Sequence, residues 1–102
     1  MVAGPPRQNG KFTMGASFTN SGATIRVKLR MEVWYGSVRK YRVQSPVVTL
    51  QHNGSQSLLG VWAVPRNEPL GAHTVRLQVL NVNGVTVIYT ADAATINVVA
   101  GP

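Results

Sequence analysis

Acid–base catalysis needs two carboxylates set against one another, or a histidine held by an orienting group. The chain offers three acids, Glu32, Glu68 and Asp92, and two histidines, His52 and His73. Glu32 falls inside the alternating run TIRVKLRMEVWYGSVRKY, Thr24 to Tyr41. There it reads as a neutraliser of arginines on adjacent strands. Glu68 stands in the loop PRNEPLG and Asp92 in TADAAT, and both read as turn residues. The histidines lack the short spacing of a ligand pair. A structural zinc site takes four ligands, and the chain has no cysteine. His73 reads as an exposed or half-buried strand residue, and His52 as part of a turn. There is no nucleophile elbow, phosphate loop or dinucleotide fingerprint. Asn53-Gly54-Ser55 has the form of a glycosylation acceptor and equally the form of a turn. The expectation is a protein that is not an enzyme and takes no cofactor or metal.

The aromatic and basic residues hold more promise. Ten Lys and Arg against three acids give a formal charge of +7, a field that attracts polyanions in general. A period of two places Arg26, Lys28, Arg30, Glu32 and Trp34 on one face of a strand. Arg39, Lys40, Arg42 and Arg76 can widen that patch. An exposed Trp34 flanked by arginines could stack on a sugar ring or a base, or dock against a neighbouring domain. A bulge near Gly36 would instead turn it inward. Tyr41 is expected beside it, with Arg39, across a hairpin. The candidate ligand or interface set is therefore Trp34, Tyr35, Tyr41, Arg26, Lys28, Arg30, Arg39 and Arg76. A sugar platform requires two of these rings exposed and coplanar on one sheet face. Nucleic acid is disfavoured, because there is no paired-aromatic motif and no glycine-rich basic loop of the kind common in single-strand binders.

These residues must be positioned by strands. Apolar residues recur every second position and turn residues break the chain at short intervals. The segments KFTMGASFT, TIRVKLRMEVWY, VRKYRV, VVTLQ, SLLGVWAV, AHTVRLQVL, VTVIYT and ATINVV read as strands, the first bent or bulged at Gly15. That makes seven or eight antiparallel strands in two sheets, an all-β sandwich. Ile25, Val27, Leu29, Met31, Val33 and Tyr35 should face the core, with Val75, Leu77 and Val79. Trp62 should be buried, since Leu58 to Val64 is almost continuously apolar. Residues 1–10 read as a flexible lead-in, 11–99 as one domain, and 100–102 as the start of a linker. No apolar run is long enough to span a bilayer, and no signal peptide is present in this stretch. Membrane insertion is not expected.

The stretch WAVPRNEPLGAHTVRLQVLNVNGVTVIYTADAATINVV, with FTNSGATIRVKLRMEV before it, resembles the bacterial immunoglobulin-like, fibronectin type III-like modules of extracellular proteins. The residues that carry the likeness are Trp62, Pro65, Pro69, Gly71, His73-Thr74-Val75 and Asn83-Gly84, with a histidine where tyrosine is usual. The resemblance implies an immunoglobulin-like β-sandwich. It implies an accessory module of a secreted or cell-surface bacterial protein that spaces or supports neighbouring domains of the same chain. Alternatives are a carbohydrate-binding module and a non-specific binder of acidic polymers.

Overall fold

The computed structural model describes residues 5–101. Seven strands run in chain order: β1 Lys11–Thr19, β2 Ile25–Tyr35, β3 Val38–Gln44, β4 Val48–Leu50, β5 Ser55–Ala63, β6 Gly71–Leu80 and β7 Val87–Val98. They form an all-β sandwich-like arrangement of two sheets. One sheet has two strands, β1-β5; the other has five, ordered β3-β2-β6-β7 with β4 also on β2. All the strand pairings are antiparallel.

β2 organises the larger sheet because its alternation is sustained longest. Val27, Leu29, Met31 and Val33 point inward and are almost wholly buried. β3 and β4 share its other edge. β3 pairs with Arg30–Tyr35 and β4 with Ile25–Val27. The break between them is Ser45-Pro46, where proline has no N–H to donate. Ser45 bridges the gap: its amide donates to the Leu29 carbonyl at 2.8 Å, and its hydroxyl accepts from the Leu29 amide at 2.9 Å.

The core lies between the sheets. Met14, Phe18, Leu58 and Trp62 from β1 and β5 meet Val27, Leu29, Met31, Val33 and Val75 from β2 and β6. Trp62 is buried as expected, at 2% exposure. Gly60 faces inward beneath the larger sheet. A Cβ there would come within 2.7 Å of the Tyr41 hydroxyl and 2.9 Å of Val43 Cγ1, so any larger residue would force these side chains aside.

Several expectations differ from the structure. Ile25 and Tyr35, read as core-facing, are 43% and 38% exposed at the two ends of β2. β1 pairs with β5 in one unbroken register from Lys11 to Thr19, with no bulge at Gly15. VTVIYT and ATINVV are not two strands; β7 is continuous along β6, and register shifts opposite Val75/Arg76 and Val79/Leu80 absorb its irregular alternation. In the stretch read as a lead-in, Met1–Gly4 lie outside the described residues. Pro6 is buried, Arg7 bridges Val99 in parallel, and Val64 donates to the Gly10 carbonyl at 2.8 Å. At the other end, Pro102 also lies outside the described residues. Among the described residues, no helix is long and apolar enough to cross a membrane.

Candidate functional site: the basic face of the larger sheet

Register brings the outward side chains of β3, β2, β6 and β7 into cross-strand rows. Glu32 lies opposite Arg42 on β3 and opposite Arg76 on β6. Arg76 in turn lies opposite Asp92 on β7. Arg30 lies between Gln44 and Gln78. The polar residues of this face are held in place by one another.

Glu32 is the hub, although it lies on the outer face, and is only 1% exposed. Its Oε1 accepts from Trp34 Nε1 at 2.9 Å. Its Oε2 accepts from Arg42 Nε at 2.7 Å, and Arg39 Nη1 lies 3.9 Å away. Burial alone would raise the Glu32 carboxyl. The hydrogen bonds from Trp34 and Arg42, with the charges of Arg42 and Arg30, outweigh it and hold the group below the usual carboxylate range. The expected neutralising role of Glu32 is therefore what its contacts describe.

Trp34 does lie on the outer face, opposite Arg39, and is half-buried. Its indole N–H is taken by Glu32. The Arg76 guanidinium sits over the ring, 4.9 Å from the centroid, and Arg76 Nε donates to Asp92 Oδ1 at 2.9 Å. The ring thus already has a cation against it.

Arg30 is 9% exposed. Its Nε and Nη2 donate to Gln44 Oε1 at 3.0 and 2.9 Å. Nη1 donates to Gln78 Oε1 at 3.1 Å, and Nη2 also reaches the Gly84 carbonyl at 3.3 Å. All these acceptors are neutral. Burial, and next the charge of Arg42, lower its pKa, while Glu32 opposes them. Arg26, opposite Thr49 on β4, and Lys28, opposite Leu80 on β6, continue the same row.

Tyr35 and Tyr41 are not on this face. The β2–β3 register shifts between Val33 and Trp34, so that Tyr41 pairs with Val33 while Arg39 pairs with Trp34. Lys40 is the extra residue, and Tyr41 is turned inward against the core. The expectation of Tyr41 beside Trp34 is corrected by this bulge. Tyr35 alternates away from Trp34 and packs against His73, ring centroids 4.9 Å apart. Trp34 is therefore the only one of these three rings on the outer face, while Tyr35 and Tyr41 lie on the inner one, so no pair of rings is exposed together beside Trp34.

A second polar cluster closes one end of the sandwich. His73 is 1% exposed and Glu68 is 3% exposed, so His73 is not the exposed or half-buried strand residue expected, and Glu68 is more than a turn residue. His73 Nε2 lies 2.9 Å from Glu68 Oε2, and Nδ1 lies 2.9 Å from the Gly71 carbonyl. Both ring nitrogens lie within hydrogen-bond reach of an oxygen. Lys40 Nζ stands 3.7 Å from the same carboxylate oxygen. Gln8 donates to the Glu68 backbone carbonyl at 2.7 Å, which fastens the first described segment to this loop. Trp62 and Tyr35 flank the imidazole. The one signal for burial was the parity of His73, two residues before the inward Val75; nothing in the sequence pointed to Glu68. His52, by contrast, is exposed in its turn.

Two cavities of about 610 and 380 Å³ open along the seam between β1 and β7. Their linings are largely apolar, including Phe18, Leu77, Val79, Ile88 and Tyr89 in one and Phe12, Met14 and Ile96 in the other. Neither lining contains a carboxylate, histidine, lysine or arginine. Among the described residues, no group of three or more His, Cys, Asp or Glu is placed to hold a metal ion. Comparison with protein-family models, with curated proteins and with solved structures finds no match to this chain.

Proposed function

We propose that the chain is a non-catalytic accessory module of a larger secreted or cell-surface bacterial protein, working through the basic outer face of its larger sheet. The carrying observation is the state of that face. Its buried charges, Glu32 and Arg30, are satisfied internally by fixed partners, which leaves a pre-organised, positively charged surface. Such a surface suits docking to an acidic neighbour, and pre-organisation lowers the entropy lost on contact.

The strand order supports an immunoglobulin-like, fibronectin-type assignment. Taking β1 and β5 as strands B and E makes β3-β2-β6-β7 the C′-C-F-G sheet of such folds. The parallel Arg7–Val99 bridge ties the first segment to the last strand. Such a sandwich suits spacing or supporting a neighbouring domain, through rigidity and interface rather than chemistry.

The test is an NMR titration of the domain with a soluble acidic polymer, heparin, at low salt. The expected shift changes fall on outward residues of β2, β3 and β6. Changes confined to the β1–β7 seam, at Phe18, Ile88 and Tyr89, would overturn the reading.

A further inference from the structure

The cations of this face are not equivalent, and their difference locates a seat. All three acids of the chain are engaged elsewhere. Glu32 takes Arg42 and Arg39, Asp92 takes Arg76, and Glu68 takes Lys40 with His73. Arg26, Lys28 and Arg30 are therefore left without an acid within 4 Å among the described residues, at three successive outward positions of one strand. Arg26 is exposed and Lys28 half-buried. Arg30 lies beneath the surface, clamped by amide and carbonyl oxygens that fix its position without cancelling its charge.

Resting on the proposed use of this face, we infer that the row Arg26–Lys28–Arg30 is the seat of a linear acidic polysaccharide. Two-residue steps set the cations about 7 Å apart, so the row matches a chain with negative groups at regular intervals rather than one compact anion. Arg26 and Lys28 make the contacts, and Arg30 contributes a fixed positive charge below them. Its cost of desolvation is already met by the fold, so a ligand above it gains attraction without stripping water from that guanidinium. Hydroxyl and amide groups border the row: Thr49 opposite Arg26, Gln44 and Gln78 opposite Arg30, and Thr90 opposite Gln78. These groups suit sugar hydroxyls. A nucleic-acid strand is the poorer fit, because base stacking needs a free aromatic face. Trp34, the aromatic on this face nearest the row in sequence, already carries Arg76 against its ring. Arg39, Arg42 and Arg76 belong to the internal network and are not the contact residues.

The test measures affinity for polygalacturonate, heparin and an oligothymidylate of matched charge. It compares the intact protein, Arg26→Gln/Lys28→Gln, Arg66→Gln and Arg39→Gln. The double variant should lose about tenfold in affinity for the polysaccharides, since each exposed pair contributes on the order of a few-fold. The two single variants should change it less than twofold, although Arg66→Gln removes a cation from elsewhere on the surface. The polysaccharide salt dependence should have a log–log slope of about −2, as expected for roughly three cations. An equal loss from Arg66→Gln would mean that only net charge matters and would overturn the seat. So would a larger loss from Arg39→Gln. Tighter binding of the oligothymidylate would overturn the polysaccharide assignment. Heparin shifts that map to this face but survive the double variant would sink this inference alone, whereas no binding of any polyanion would sink the proposed function with it. Unchanged thermal midpoints of the variants separate loss of contact from loss of fold.

Discussion

A carboxylate almost without solvent contact on the outer face of a sheet is held there by its donors. Glu32 accepts from an indole N–H and a guanidinium, and charge-assisted bonds of this kind are the stronger ones. Its folded pKa lies below the unfolded value, so its contribution to stability is full above the ordinary carboxylate range, about 4. That contribution fades as pH falls through the folded value. The urea midpoint of the intact protein should therefore drop on acidification below about pH 4. Glu32→Gln should lower the midpoint at neutral pH and flatten this part of the profile. Glu32→Ala should cost about 1–3 kcal/mol, because it leaves the half-buried Trp34 N–H without its acceptor. Urea titrations at several pH values measure both effects. The neutralising role of Glu32 was legible in the sequence, since strand parity alone sets it among arginines. Glu68 was not legible, because the return of the Pro65–Gly71 loop onto His73 obeys no periodicity.

Alternation locates strands well but is blind to the single extra residue. The centre of β2 could be read inward and outward, and the core positions Val27, Leu29, Met31, Val33 and Trp62 followed, but Ile25 and Tyr35 at its ends are exposed because the facing sheet does not reach them. One bulged residue, Lys40, separated Arg39 and Tyr41 onto opposite faces and removed the aromatic platform. β7 was divided in two because Ala91–Ala94 lacks the β-branched residues that mark a strand. Pairing with β6 carries the backbone through that stretch. The packing of Gly60 was equally invisible, because it depends on a long-range approach of β5 to β3. Gly60→Ala should destabilise the domain by about 1–3 kcal/mol through overpacking. Tyr41→Phe in the same chain should recover part of this by removing the hydroxyl nearest the new methyl. Denaturation midpoints of the two variants check the pair, and no recovery would place the strain elsewhere.

Over the whole molecule, two sheets of unequal width leave the protein covered on one side and open on the other. β2 is bordered on both edges, by β6 and by β3 with β4, whereas β1 and β7 each have one free edge along the apolar seam. Local stability should follow this asymmetry. Amide exchange should be slowest for Val27–Val33 and markedly faster for the free-edge amides of β1 and β7, as read by hydrogen-exchange NMR. Uniform protection across all seven strands would contradict the openness of the seam. Charge and fold class were available from composition and period, but the unequal sheets were not, since strand partners are chosen by tertiary packing. The parallel bridge between Arg7 and Val99 has a mechanical consequence. The first described segment and the last strand point the same way there, joined by Gln8 N to Val99 O and Val99 N to Pro6 O, each 3.0 Å. Tension that draws Pro5 and Gly101 apart runs along the two segments and across these bonds, loading both together in shear instead of peeling them one after the other. As a link in a longer chain, the domain would meet a stretching force first at this clasp, with the basic face carrying none of the load.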